Sequence, residues 1–197
     1  MKRIRTLPFL LVALVACAST TSTAESPAPA EGSRTGSYVF DATPGTRQRP
    51  VRIWYHEPAD IGADAPFVFV MHGASRNGDG YRDAWIDEGE RYGFLLIVPE
   101  FSDEHYPGSR TYNLGNVFDG DQGSVPEAQW SYSAIEPVFD DARARFGNHS
   151  EAYAIYGHSA GSQFVNRFLM LKPNARVRHA VLANAGWYTM STQHVSR

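Results

Sequence analysis

The chain has 197 residues, 43% of them hydrophobic and 20% charged, with a formal net charge of −3. That balance fits one globular domain with a sizeable core and excludes an intrinsically disordered chain. The acidic charge argues against a nucleic-acid partner, and a single cysteine excludes an intrachain disulfide.

The first residues read as an address. Lys2, Arg3 and Arg5 precede an apolar run from Leu7 to Ala16. At about ten residues it is too short for a ~30 Å hydrocarbon core, but it suits a secretory signal. The run ends in Leu14-Val15-Ala16-Cys17, which resembles the bacterial lipobox, where the cysteine is acylated and becomes the new N-terminus. This resemblance implies a signal peptide over residues 1–16, a lipid on Cys17 and a bacterial envelope membrane as partner. Each buried CH₂ of the acyl chains would contribute ~0.8 kcal/mol to anchoring. Ala18 after the cysteine resembles outer-membrane sorting. Loss of residues 1–16 leaves 15 basic residues against 21 acidic ones, a net charge of −6. Residues 17–37, mostly Ser, Thr, Ala, Pro and Gly, cannot bury enough surface to offset their ordering entropy and read as a flexible tether. The folded domain is assigned to residues 38–197.

Within it, Ser37–Thr43 and Val51–His56 read as strands, the second by alternation, with a turn at Pro44-Gly45 between them. Phe67–Met71 is continuously apolar, as for a strand buried on both faces. Tyr81–Arg91 predicts a helix with Trp85, Ile86 and Gly89 facing the sheet, stopped at Gly93. Phe94–Val98 is the next buried strand. Residues 103–129 lack periodicity, and a loop of that length tends to carry function. Tyr132–Phe146 predicts a helix with Ile135, Val138, Phe139 and Ala142 on one stripe and Gly147 as its stop. Glu151–Tyr156 is strand, Ser159–Leu171 helix, and His179–Asn184 strand. The alternation predicts an α/β fold, with a mainly parallel sheet and helices on both faces.

The chemistry centres on Gly157-His158-Ser159-Ala160-Gly161. This G-x-S-x-G follows the strand Ala152–Tyr156 and opens a helix, the setting that a nucleophile elbow requires. A serine held there takes a strained conformation, and its neighbours two residues away must be glycine to avoid clashes. His72-Gly73-Ala74 directly follows the buried strand Phe67–Met71, and Arg76-Asn77 lies just beyond. With Ala183-Asn184-Ala185-Gly186-Trp187-Tyr188, these segments resemble bacterial secreted α/β-hydrolases, within them the polyhydroxybutyrate depolymerase and feruloyl or acetylxylan esterase-like group. The likeness covers about residues 38–190. It implies a serine hydrolase of carboxylic esters, with Ser159 as nucleophile and the backbone N–H groups of Ala160 and Ala74 as oxyanion donors. Gly73 is the alternative donor. His72 reads as a histidine hydrogen-bonded beneath the loop rather than a base, and Arg76 and Asn77 as supports of that loop.

The pattern then breaks. Hydrolase order is nucleophile, acid, histidine. Past Ser159 there is no Asp or Glu, and the histidines are His179 and His194. His179 leads into a strand and belongs at the wrong end of the sheet; His194 lies on an unpatterned segment. The last two strands of the usual sheet also have no counterpart. Three explanations stand: a C-terminally truncated hydrolase; a substitute base–acid pair from His105 with Asp119 or Asp121; or a catalytically inactive relative that binds acyl or glycan ligands. The aromatic residues Tyr106, Tyr112, Phe118, Trp130 and Tyr132 read either as loop packing or as an acyl or aryl binding wall. His56, His72, His105, His149, His158, His179 and His194 show no paired metal-ligand spacing, and no nucleotide-binding motif appears, so neither metal nor cofactor is expected.

Overall fold

A computed structural model of the chain describes residues 32–120 and 123–190. Cys17, the signal segment, Asp121 and His194 therefore lie outside the described residues. In chain order the elements are β1 (Arg34–Phe40), α1 (Pro44–Gln48), β2 (Val51–Glu57), β3 (Phe67–Met71), α2 (Gly78–Asp83), α3 (Ile86–Tyr92), β4 (Leu95–Glu100), α4 (Gly108–Thr111), α5 (Ile135–Phe146), β5 (Tyr153–His158), α6 (Ala160–Leu171) and β6 (Val177–Ala183).

The strands form one sheet in the order β1-β2-β4-β3-β5-β6. β2 pairs antiparallel with both β1 and β4, while β4, β3, β5 and β6 run parallel. The sheet is mainly parallel, as its sequence pattern predicts. β3 explains the layering. Phe67, Phe69 and Met71 enter the larger core with Phe139 of α5 and Phe164 and Phe168 of α6. Val70 joins Leu96 and Val98 on the opposite face, where Tyr81 and Trp85 cover them. Helices thus cover both faces, and each fully buried aliphatic or aromatic side chain contributes roughly 1.5–3 kcal/mol. Ile135, Val138, Phe139 and Ala142 of α5 are all buried, and Gly147 ends the helix in a left-handed conformation.

Four local differences have physical causes. β1 begins at Arg34, so residues 34–37, read as tether, pair in register with β2 from Arg34 opposite Glu57 to Ser37 opposite Trp54. Backbone pairing needs no apolar side chain, and Arg34 meets Glu57 in an ion pair. The turn at Pro44-Gly45 is instead the short helix α1, held by a reciprocal cap: the Thr43 hydroxyl accepts from the Thr46 N–H, and the Thr46 hydroxyl from the Thr43 N–H. The helix over Tyr81–Arg91 is two helices, parted at Ala84-Trp85 where the Trp85 ring turns onto Tyr156, 5.0 Å between centroids. The helix from Tyr132 begins as a 3₁₀ turn over Ser131–Ala134 before α5.

Residues 103–129 are less bare than their sequence. They hold α4, a bridge between Phe118 and Ser124, and a 3₁₀ turn at Glu127–Gln129. Tyr106 and Tyr112 are buried there, as is Tyr132 just beyond. Their hydroxyls donate to the carbonyls of Arg49, His72 and Asn113 respectively. These three rings are core, not an open acyl wall; of the five aromatic residues only Phe118 is exposed, and Trp130 is half-buried.

Candidate active site

β5 ends and α6 begins on either side of Ser159, whose backbone has φ 54° and ψ −115°. A non-glycine residue in that region costs of order 1–3 kcal/mol and persists only where its surroundings overdetermine it. Here they do. A Cβ on Gly157 would lie 2.4 Å from the Gly161 carbonyl oxygen, and one on Gly161 would lie 2.1 Å from the Met71 carbonyl oxygen. Both positions admit only glycine, and β5 can bend sharply back past the end of β3. The Ser159 N–H donates to the Ala183 carbonyl at 3.0 Å, which ties the bend to β6.

The side chain of Ser159 is partly exposed at the C-terminal ends of the parallel strands. The loop that starts at His72 passes beside it: a Cβ built on Gly73 would stand 3.8 Å from Ser159 Cβ. Ala160 opens the first turn of α6, where backbone N–H groups have no intrahelical partner and the helix dipole is positive. Ala74 is exposed on the neighbouring loop. Ser159, Ala160, Gly73 and Ala74 are thereby drawn into one corner of the fold.

His72 lies under this loop, fully buried. Its Nδ1–H donates to the Gly73 carbonyl at 2.9 Å, and its Nε2 accepts from the Phe101 N–H at 3.0 Å. Both ring nitrogens are occupied, the ring stacks on Tyr112 at 4.6 Å, and burial pulls its pKa down to about 4. It is a neutral scaffold, not a base. Arg76, itself at φ 58°, donates to the Phe101 carbonyl at 2.7 Å and to the Gly108 carbonyl at 2.9 Å, with its guanidinium 4.2 Å from the Tyr112 ring centroid. It fastens the loop to the end of β4 and the start of α4. Asn77 supports more weakly: it precedes α2 without a side-chain cap, its carbonyl accepting from the Tyr81 N–H.

Sequence reasoning missed Tyr81. Its hydroxyl shares a 2.7 Å hydrogen bond with His158 Nδ1 and lies against Gly73, 2.9 Å from where a Cβ on that residue would stand. Burial raises the pKa of that hydroxyl, while the nearby Gly73 backbone N–H pulls the other way. Nothing in the local pattern distinguishes this tyrosine from any other at a helix start. Also missed was Asn113, whose side-chain amide donates to Gln163 Oε1 at 2.6 Å and so joins the long loop to α6.

The other sequence candidates lie elsewhere. His105 and Asp119 line a polar cavity of about 440 Å³ with Arg49 and Arg110, and Ser159 is not on its wall. Asp119 is engaged by Arg110 at 3.2 Å. His179 pairs opposite Ala154 near the start of β6 and lines a cavity with Phe67 and Tyr153, at the strand ends remote from Ser159. Among the described residues the Ser159 hydroxyl has no hydrogen-bond partner. No group of three or more possible metal ligands occurs among them, and no helix is long and apolar enough to cross a membrane.

A mainly parallel sheet with helices on both faces, and a strained serine between strand and helix, define the chain as having the α/β-hydrolase fold. Solved structures agree. The chain is similar to poly(aspartic acid) hydrolase-1 from Sphingomonas sp. KT-1, with 44% identity and a TM-score of 0.77 over 82% of this chain and 60% of that one. It is similar to a poly(3-hydroxybutyrate) depolymerase from Bordetella parapertussis, with 34% identity and a TM-score of 0.77 over 81% of this chain and 55% of that one. Among curated proteins, poly(3-hydroxyalkanoate) depolymerase C of Paucimonas lemoignei is 22% identical over 153 residues, 77% of this chain and 35% of its own length. The chain thus spans about a third to three fifths of these relatives. No family model matches it.

Proposed function

We propose that the chain carries the nucleophile half of a serine hydrolase acting on carboxylic esters at the bacterial cell envelope. The observation that carries this reading is the backbone of Ser159, φ 54° and ψ −115°, beside the loop from His72. In this reading the Ser159 hydroxyl attacks the ester carbonyl. The Ala160 and Ala74 N–H groups stabilise the oxyanion, whose charge develops only in the transition state. Gly73 is the alternative second donor. The names of the similar proteins, a polyester depolymerase and a poly(aspartic acid) hydrolase, favour a polymeric or oligomeric acyl substrate. Cys17, acylated, would hold the domain at the membrane.

A triad needs a histidine within hydrogen-bond reach of the serine and an acid that fixes its tautomer. In this reading both come from outside the described residues, since no described residue bonds the Ser159 hydroxyl. The same observation favours a second reading, a catalytically inactive envelope lipoprotein that retains the fold to bind acyl or glycan ligands. A fluorophosphonate probe separates the two, because it labels only an activated serine. Labelling lost in Ser159→Ala, with turnover of p-nitrophenyl butyrate lost in parallel, supports the hydrolase. Absence of labelling both here and in a full-length homologue supports the binding protein, and ester turnover that survives Ser159→Ala removes Ser159 from its role. Incorporation of a tagged fatty acid, abolished by Cys17→Ser, tests the anchor.

A further inference from the structure

α6 carries a cation that the ester chemistry leaves unused. Arg167 is 6% exposed. Its Nη1 donates to the carbonyls of Asn113 at 3.1 Å and Gln163 at 2.9 Å, while its Nη2 is buried and has no hydrogen-bond partner among the described residues. No Asp or Glu among them forms an ion pair with it. The Trp187 ring lies over the guanidinium, 4.1 Å from its carbon to the ring centroid. A buried guanidinium without a counter-ion costs several kcal/mol, and folds rarely keep one unless it pairs with something.

The same side chain forms part of the wall of a groove of about 600 Å³ between α6 and the long loop, with Leu114, Val117, Phe118, Met170 and Leu171 as its apolar lining. That volume lies in the range of small-molecule sites. Arg110, also on the wall, is already engaged by Asp119 and is not the free cation. Along α6, Arg167 lies eight residues past Ser159, about 12 Å at 1.5 Å per residue. No residue of the elbow or of the loop from His72 lines the groove.

We propose that this groove binds a medium-chain organic acid, its tail among Leu114, Val117, Phe118, Met170 and Leu171 and its carboxylate on the Arg167 guanidinium. The two halves of the site select such a ligand jointly. A neutral lipid would leave the guanidinium unpaired, and an inorganic anion would leave the apolar walls wet. A carboxylate matches the planar fork of arginine and supplies the missing acceptor. Burial holds the Arg167 pKa below its ordinary value. Trp187 is 54% exposed on the segment after β6. This site does not depend on Ser159, and its test requires no turnover.

Calorimetric titration of the full chain with sodium octanoate, 1-octanol and sodium sulfate tests the proposal. Octanoate should bind at one site, with octanol and sulfate each at least about tenfold weaker. Arg167→Gln should lower octanoate to the level of octanol. Because that variant removes two bonds to backbone carbonyls, Met170→Glu provides a second arm at a partly exposed lip of the groove. It should weaken octanoate more than octanol, because charge repulsion adds to the loss of apolar contact that both ligands share. Equal affinity for octanol and octanoate, undiminished octanoate binding in either variant, or no octanoate binding by the parent chain overturns the proposal.

Discussion

The Tyr81 hydroxyl meets His158 Nδ1 at 2.7 Å, a bond between residues 77 positions apart that joins the helix after the His72 loop to the elbow itself. The two loops that frame Ser159 are thus fastened to each other by side chains as well as by the sheet. Tyr81→Phe removes this bond. The expected loss is about 1 kcal/mol in urea denaturation. In a double-mutant cycle with His158→Ala the two losses should be non-additive. Full additivity would mean that the bond contributes nothing.

Gly161 packs against the backbone of β3, with no flexible neighbour to yield. Gly161→Ala should therefore cost about 3 kcal/mol or more, at the upper end of overpacking penalties. The control is Gly186→Ala, where the nearest atom to a new Cβ is 3.6 Å away and the change should fall within about 0.5 kcal/mol. Similar melting temperatures for the two variants would show that the elbow is looser than its geometry.

His72 makes stability depend on pH. Its pKa is about 4 in the fold, against about 6.5 in an unfolded chain, so between these values the unfolded state binds more protons. Stability therefore rises with pH across this window, is complete above it, and is lost as pH falls toward 4, by roughly 3 kcal/mol in all. His56, also lowered by burial, adds in the same direction. Urea midpoints from pH 4 to 7.5 should show the slope, and His72→Gln should flatten it. An equally steep profile in that variant would assign the effect elsewhere.

β6 is the outermost strand of the described sheet, and Val181 on it is 55% exposed. An unpaired apolar edge invites pairing with another chain. The chain should self-associate as its concentration rises, and Val181→Lys should suppress this by placing a charge on the edge. Light scattering that is unchanged by the substitution would point to another surface.

Much of this architecture was legible because local patterns and tertiary demands coincide. Phe67–Met71 is apolar without interruption because β3 is central, and the stripe from Ile135 to Ala142 is the face that α5 buries. The elbow was legible because its steric requirement, glycine at 157 and 161, is written in the chain itself. Residues 34–37 were not legible, since a strand held by backbone pairing can carry any side chain. Arg167 was not legible either. Helical spacing places it near Phe164 and one turn past Gln163, but its other carbonyl partner and the ring over it come from Asn113 and Trp187, outside α6. A missing partner leaves no trace in local sequence.

The bond from the Ser159 amide to the Ala183 carbonyl makes the reactive corner answerable to a strand that no substrate would touch. Fraying at the rim of the sheet would release the bend at 159 before it disturbed the core. Hydrogen exchange at that single amide therefore reports how firmly β6 is docked.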